Sequence, residues 1–145
     1  MTDMIKAEIG MAGNETIKML NGNFNGLSDA VTAATQRTEP KTFTIVTGTA
    51  NDRPPVYWRV GGRVYINGGI SGELGAQGAK LFDIPVGFRP KRTQLIGIVR
   101  QENPMSVLLV QFNTDGRALV VWSPSKGVTW FDGLSWETDD DFPTA

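Results

Sequence analysis

The chain has neither cysteine nor histidine in its 145 residues. Without cysteine there is no disulfide framework, no thiolate nucleophile and no Cys-based zinc or iron–sulfur site. Without histidine the Ser-His-Asp and Cys-His relays are excluded, and the commonest metal ligand is missing. An excess of one charge is lacking too: 14 Lys+Arg against 15 Asp+Glu leave a net charge of -1. Bulk attraction to nucleic acid or anionic lipid is therefore absent. No apolar run approaches the roughly 18 residues of a membrane span, and Met1–Ala12 lacks the apolar core of a Sec signal peptide. The expectation is a soluble protein without a signal peptide, with no nucleic-acid partner, no membrane insertion, no cofactor and no metal.

The residues that are present divide into two kinds of segment. Ile17, Leu20, Phe24, Leu27, Val31 and Ala34 recur at spacings of 3, 4, 3, 4 and 3, an a/d seam of about two and a half heptads. Asn14 is placed to cap this helix, and Glu15 follows in its first turn, where the helix dipole favours a carboxylate. Gly22 and Gly26 fall at outward positions and each costs about 1 kcal/mol relative to Ala. A lone helix of this kind is marginal in water, so its stripe needs a cover, either the rest of the chain or sister helices. The strict 3.5-residue period favours sister helices.

From Thr42 the period changes to that of strands, rich in β-branched and aromatic residues and separated by Gly, Pro, Asn and Asp. The expected strands are Thr42–Thr47, Val56–Val60, Arg63–Ile70, Lys80–Ile84, Thr93–Arg100, Ser106–Phe112, Arg117–Trp122, Val128–Phe131 and Leu134–Glu137. Gly61-Gly62 and Asp132-Gly133 read as two-residue hairpin turns, and Thr114-Asp115-Gly116 as a third turn. Gly68–Ala79 reads as a long loop. The fold expected is mainly β: an N-terminal α-helix followed by an antiparallel β-sandwich or jelly roll. The domains expected are a helical segment over 1–36, a linker over 37–41 and a head over 42–145.

Each candidate site competes with a plainer role. Tyr57, Trp58, Tyr65, Trp122, Trp130, Phe131 and Trp136 offer flat rings for sugar C–H faces, but large rings also fill sandwich cores. Alternation sends one of Tyr57-Trp58, and one of Trp130-Phe131, to the outside. Trp122, Trp130 and Trp136, with Arg89 and Asp132 as polar partners, are the expected ligand contacts. The basic stretch Phe88-Arg89-Pro90-Lys91-Arg92 can meet phosphate, or it is a solvated turn. The acidic run from Glu137 to Asp141 can hold Ca²⁺, or it is a solvated tail. Glu73 with Asp83, and Asp115 with Asp132, are the carboxylate pairs to weigh for glycoside hydrolysis. The glycines of 61–78 match no phosphate-binding loop.

Two stretches carry a resemblance. Ile17-Lys18-Met19-Leu20-Asn21-Gly22-Asn23-Phe24-Asn25-Gly26-Leu27 resembles the helix near the start of many phage baseplate and tail-fibre proteins. Val56 to Ile66, Ile84-Pro85-Val86-Gly87-Phe88-Arg89-Pro90, and Trp130-Phe131-Asp132-Gly133-Leu134-Ser135-Trp136 are similar in order to the head of receptor-binding proteins of siphophages that infect Gram-positive bacteria. The resemblance implies a virion protein of the tail tip or baseplate, not an enzyme. It implies a homotrimer bundled through Ile17, Leu20, Phe24, Leu27 and Val31, docked to other baseplate proteins by its N-terminal segment. Its heads would bind host cell-surface saccharide or phosphopolysaccharide. A structural baseplate or fibre subunit is the alternative, and a glycan-degrading tail enzyme the third.

Overall fold

The structure, a computed structural model, describes residues 22–122 and 127–144. The chain divides into two units, Met1–Thr35 and Gln36–Ala145. In the first, residues 22–35 are helical, and Thr35 Oγ1 donates to the Val31 carbonyl one turn back (2.7 Å). Phe24, Leu27 and Val31 of the expected seam are exposed in the single chain. Ile17 and Leu20, with the proposed cap Asn14, lie outside the described residues.

The second unit is an antiparallel β-sandwich. Its strands are β1 Lys41–Thr42, β2 Thr49–Ala50, β3 Val56–Val60, β4 Arg63–Asn67, β5 Gly69–Ser71, β6 Lys80–Asp83, β7 Gln94–Gln101, β8 Ser106–Phe112, β9 Arg117–Trp122, β10 Val128–Trp130 and β11 Leu134–Glu137. A four-stranded sheet has the order β1-β3-β4-β11, and a seven-stranded sheet the order β2-β5-β10-β7-β8-β9-β6. Period-two alternation supplies the core: Tyr57, Val64, Ile66 and Trp136 point inward from the small sheet, and Phe82, Ile98, Leu108, Val110, Phe112 and Val120 from the large one. Trp136 and Phe112 meet across the two sheets with ring centroids 5.2 Å apart.

Gly61-Gly62 makes the expected two-residue hairpin, with Val60 opposite Arg63. Thr114-Asp115-Gly116 likewise turns β8 into β9. Other expectations need correction, and the cause is shared: short segments change sheet. Thr42–Thr47 is not one strand, because Phe43 leaves the small sheet to stack between Tyr57 (4.2 Å) and Phe82 (4.1 Å) before β2 joins the large sheet. Arg63–Ile70 breaks at Gly68 into β4 and β5, in different sheets. Gly68 has φ of 99°, and a Cβ there would strike the Pro54 carbonyl, so only glycine permits the break. The expected loop 68–79 therefore begins with a strand. Asp132-Gly133 is not a hairpin turn either, since it carries the chain from β10 in the large sheet to β11 in the small one.

The expected linker, 37–41, is bonded into the small sheet: Arg37 bridges Val60, and the Thr38 N–H donates to the Arg59 carbonyl (2.9 Å). Nor is the acidic tail simply solvated. Asp140 Oδ2 accepts the N–H groups of Gly87 (2.9 Å) and Arg89 (3.0 Å). Arg59, buried, donates through Nη1 to the carbonyls of Gly87 (2.7 Å), Asp140 (2.9 Å) and Asp141 (3.1 Å). Burial lowers the guanidinium pKa, and the Asp140 and Asp141 carboxylates oppose that shift. Among the described residues, no cluster of three or more acidic side chains is arranged to hold a metal ion. No helix among them is long and apolar enough to cross a membrane.

Candidate functional site

The two outer faces of the sandwich differ in chemistry. On the small sheet, the residues that alternate with the core ones include Trp58, Arg63, Tyr65, Ser135 and Glu137, with Val56, Val60 and Asn67 on the same face. Cross-strand register stacks Trp58 on Tyr65 (5.7 Å between centroids) and sets Tyr65 opposite Ser135 and Arg63 opposite Glu137. Arg63 Nε donates to Ser135 Oγ (3.0 Å). A groove of about 390 Å³ opens here between Arg63, Lys91, Arg92, Gln94, Ser135 and Glu137. A second depression, against Gly62, Thr138 and Asp139, shares Arg63 and Glu137 with it. Lys91 pairs with Asp139 (3.2 Å), which steadies the turn that brings Arg92 to the rim. Guanidinium, amide, hydroxyl and carboxylate groups thus converge beside two half-buried rings, the composition that binds a polar, hydroxyl-rich ligand.

The residues expected as ligand contacts are not gathered in this way. Trp136 is 1% exposed, and its indole N–H donates to the Phe88 carbonyl (2.7 Å), so it is a core residue beneath the groove. Arg89 is half-buried and braces the turn before it, donating from Nε to the Ile84 carbonyl (3.1 Å). Trp130 and Asp132 do come together, through Arg53. The Arg53 guanidinium lies over the Trp130 ring (5.2 Å) and pairs with Asp132 Oδ2 (2.8 Å). Trp130 Nε1 also donates to Gln101 Oε1 (2.9 Å). Asp132 Oδ1 accepts the Gly68 N–H (2.8 Å), and this bond, with a smaller part from Arg53, holds its carboxyl below the usual carboxylate range. This second cluster has one ring face already covered by an arginine.

Trp122 stands apart. A bulge at Val121, between the pairs Leu109↔Trp122 and Val110↔Val120, turns Trp122 onto the outer face of the large sheet. It is 51% exposed, among aliphatic neighbours. Alternation settles the two ambiguous pairs: Tyr57 and Phe131 are inside, and Trp58 and Trp130 outside. Sequence reasoning did not single out Arg63, Gln94 or Arg53. Their only signal was a polar residue next to an aromatic strand, which is common on any sandwich surface. The basic stretch 88–92 did carry a trace of the groove, in Lys91 and Arg92.

By sequence, no protein-family model and no curated protein matches the chain. Its fold is similar to that of a phage receptor-binding protein. The solved structure is the receptor binding protein (gp15) of Listeria phage PSA, at a TM-score of 0.61 and 16% identity. The match covers 86% of this chain and 79% of that one. At this identity the likeness shows the architecture, and the expected sandwich head is that architecture.

Proposed function

We propose that the chain is a receptor-binding protein of a phage tail tip or baseplate, attaching the virion to host cell-surface saccharide or phosphopolysaccharide through the outer face of its small sheet. The similarity of fold to a phage receptor binding protein carries this reading. The groove and the sheet face beside it support the reading: on the face Tyr65 and Trp58 offer ring surface, and in the groove Gln94, Ser135 and Glu137 can exchange hydrogen bonds with hydroxyls while Arg63 and Arg92 suit a phosphate link in the polymer. Single polar sites bind weakly because they mostly exchange water hydrogen bonds for protein ones. Three heads on one helical bundle would raise avidity by roughly 10²–10⁴. The seam Ile17, Leu20, Phe24, Leu27 and Val31 is proposed as the trimer contact, with the N-terminal segment docking to other baseplate proteins.

The role proposed is binding and not hydrolysis. A glycosidase acid needs a raised pKa, whereas Asp115 and Asp132 are held low by the Arg117 and Gly68 N–H groups. Asp83 is paired with Lys80 (2.7 Å). The test is sedimentation of the full chain with purified walls of candidate Gram-positive hosts, beside R92A, Y65A and W130A. Loss of pull-down in R92A and Y65A, with W130A retained, supports the groove. Loss in W130A alone moves the site to the Arg53 cluster. Absence of pull-down with every wall and glycan favours a structural baseplate or fibre subunit.

A further inference from the structure

Asparagine is a thermolabile residue, and most so before glycine, whose nitrogen is unhindered. The chain contains three such pairs, Asn21-Gly22, Asn25-Gly26 and Asn67-Gly68. In deamidation the glycine nitrogen loses its proton and bonds to the asparagine Cγ. The bond from Cγ to the side-chain nitrogen breaks, ammonia leaves with that proton, and a succinimide ring is closed. Water then opens the ring at either carbonyl, giving aspartate or, with the main chain rerouted through the β-carbon, isoaspartate. At Gly22 and Gly26 an added Cβ meets nothing within 4 Å, so space does not demand glycine there. Gly68 has no such freedom, because its φ is 99° and a Cβ would strike the Pro54 carbonyl. The head thus carries a reactive pair, at a crossing between its sheets, whose glycine cannot be exchanged.

We propose that Asp132 guards Asn67-Gly68 as a modification site, its carboxylate keeping the Gly68 amide from attacking the Asn67 side chain. Asp132 Oδ1 accepts the Gly68 N–H at 2.8 Å, a charge-assisted bond to the very atom that must become the nucleophile. To react, that nitrogen has to give up the bonded proton and swing toward Cγ. The surrounding backbone opposes the swing. Asn67 ends β4 in register with Val56, the Gly68 carbonyl accepts the Phe131 N–H (2.8 Å), and the Gly69 N–H donates to the Arg53 carbonyl (2.8 Å). The Arg53 guanidinium in turn fixes Asp132 through Oδ2 (2.8 Å). The carboxylate does not serve as the base that starts the reaction. Its pKa lies below the usual carboxylate range, chiefly through the Gly68 N–H, whereas an effective base is matched to the working pH. It therefore stays ionised, and keeps its grip, across the neutral and alkaline range in which deamidation proceeds. Failure would be felt on the outer face of the small sheet, which Asn67 shares with Trp58 and Tyr65. Aspartate adds a negative charge there, and isoaspartate inserts an extra main-chain atom where Gly68 is pressed against Pro54.

The inference goes beyond the receptor-binding reading and does not depend on it. Its test ages four full-length proteins in warm, mildly alkaline buffer: the parent chain, D132A, R53A and R59M. Proteolytic peptides are then weighed for the gain of about one dalton at Asn67, with near-ultraviolet circular dichroism to check each head. The Asp132 side chain is 41% exposed, so its truncation leaves the core filled. D132A should convert Asn67 at least about 10-fold faster than the parent, the effect of losing one bond of about 1.4 kcal/mol. R53A breaks the ion pair and R59M loosens the head elsewhere, but both keep the Asp132–Gly68 bond, and their rates should stay within about 3-fold of the parent. A D132A rate that is unchanged or slower overturns the inference. So does an equal acceleration in R59M or R53A, which would assign the protection to global stability or to the arginine. Should D132A not fold, the parent decides by itself. Its Asn67 must outlast the same residue in urea by more than about 10-fold, and the Gly68 amide must exchange its hydrogen slowly in the native head. Equal loss in buffer and urea, or fast exchange at Gly68, overturns the inference as well.

Discussion

Two tryptophans on opposite sides of the large sheet provide the sharpest check on the argument. Trp136 packs on Phe112 in the core and donates its N–H to the Phe88 carbonyl, whereas Trp122 projects outward. In W136F the smaller ring leaves a cavity, and the Phe88 carbonyl loses a buried partner. Together these cost about 3 kcal/mol. At roughly 2.1 cal/mol/K of unfolding entropy per residue, a unit of about 110 residues shifts by ~4 °C per kcal/mol, so Tm should fall by about 12 °C. W122F removes the same atoms from a half-exposed site without a bonded N–H, and should move Tm by less than about 2 °C. Thermal unfolding of both variants, at one protomer concentration and with a single-transition check, reads the contrast. Equal losses in the two would refute the assignment of Trp136 to the core and Trp122 to the surface. So would a W136F head that keeps its Tm but no longer binds wall.

Four further outcomes are expected from the packing and bonding of the head and the helix. The Asp132 carboxyl is lowered in the folded head, so its contribution is complete above its unfolded pKa of about 3.9 and is lost as pH falls through the folded value. D132N should therefore flatten the acid limb of a urea-midpoint profile and cost about 1 kcal/mol at neutral pH, where the Gly68 N–H keeps only a neutral acceptor. G68A should be among the most damaging single substitutions, costing at least about 2 kcal/mol, because a Cβ meets the Pro54 carbonyl and the φ is left-handed; expression and urea midpoint read it. G22A/G26A should stabilise the helical unit by up to about 2 kcal/mol, seen as a higher helical melting temperature, since a Cβ at either site meets nothing within 4 Å. R59M should lower stability by about 2 kcal/mol or more and expose 140–144 to limited proteolysis, because the carbonyls of Gly61, Gly87, Asp140 and Asp141 lose their donor.

Most of the fold could be read from the sequence because period-two burial is a local property. Val56–Val60, Ser106–Phe112, Arg117–Trp122 and Leu134–Glu137 have the expected bounds, and each alternates a core residue with an outer one. What alternation does not encode is which sheet a strand joins. The chain crosses between layers four times, at Phe43, between Ala50 and Val56, at Gly68 and at Asp132-Gly133, and each place looks locally like an ordinary strand residue or turn. The bulge at Val121 had the same effect on a smaller scale, since strict alternation puts Trp122 on the same side as the buried Val120. The groove was less legible than the fold. Arg63, the Arg92–Gln94 stretch and Ser135 are separated from one another by tens of residues, and only the pairing of β4 with β11 and the turn at 90–92 brings them together.

The brace at Arg59 has an architectural corollary. Its backbone N–H takes the hydroxyl of Thr38, near where the chain enters the head, while its guanidinium ties down the carbonyls of Asp140 and Asp141 near where it leaves. The two ends of the module are thus fastened to one residue, one through its backbone and the other through its side chain. A unit whose ends are neighbours can be cut out and spliced onto a foreign stalk, or circularly permuted, without threading a new connection across its surface. Such exchange would replace one sandwich by another while leaving the helical unit untouched.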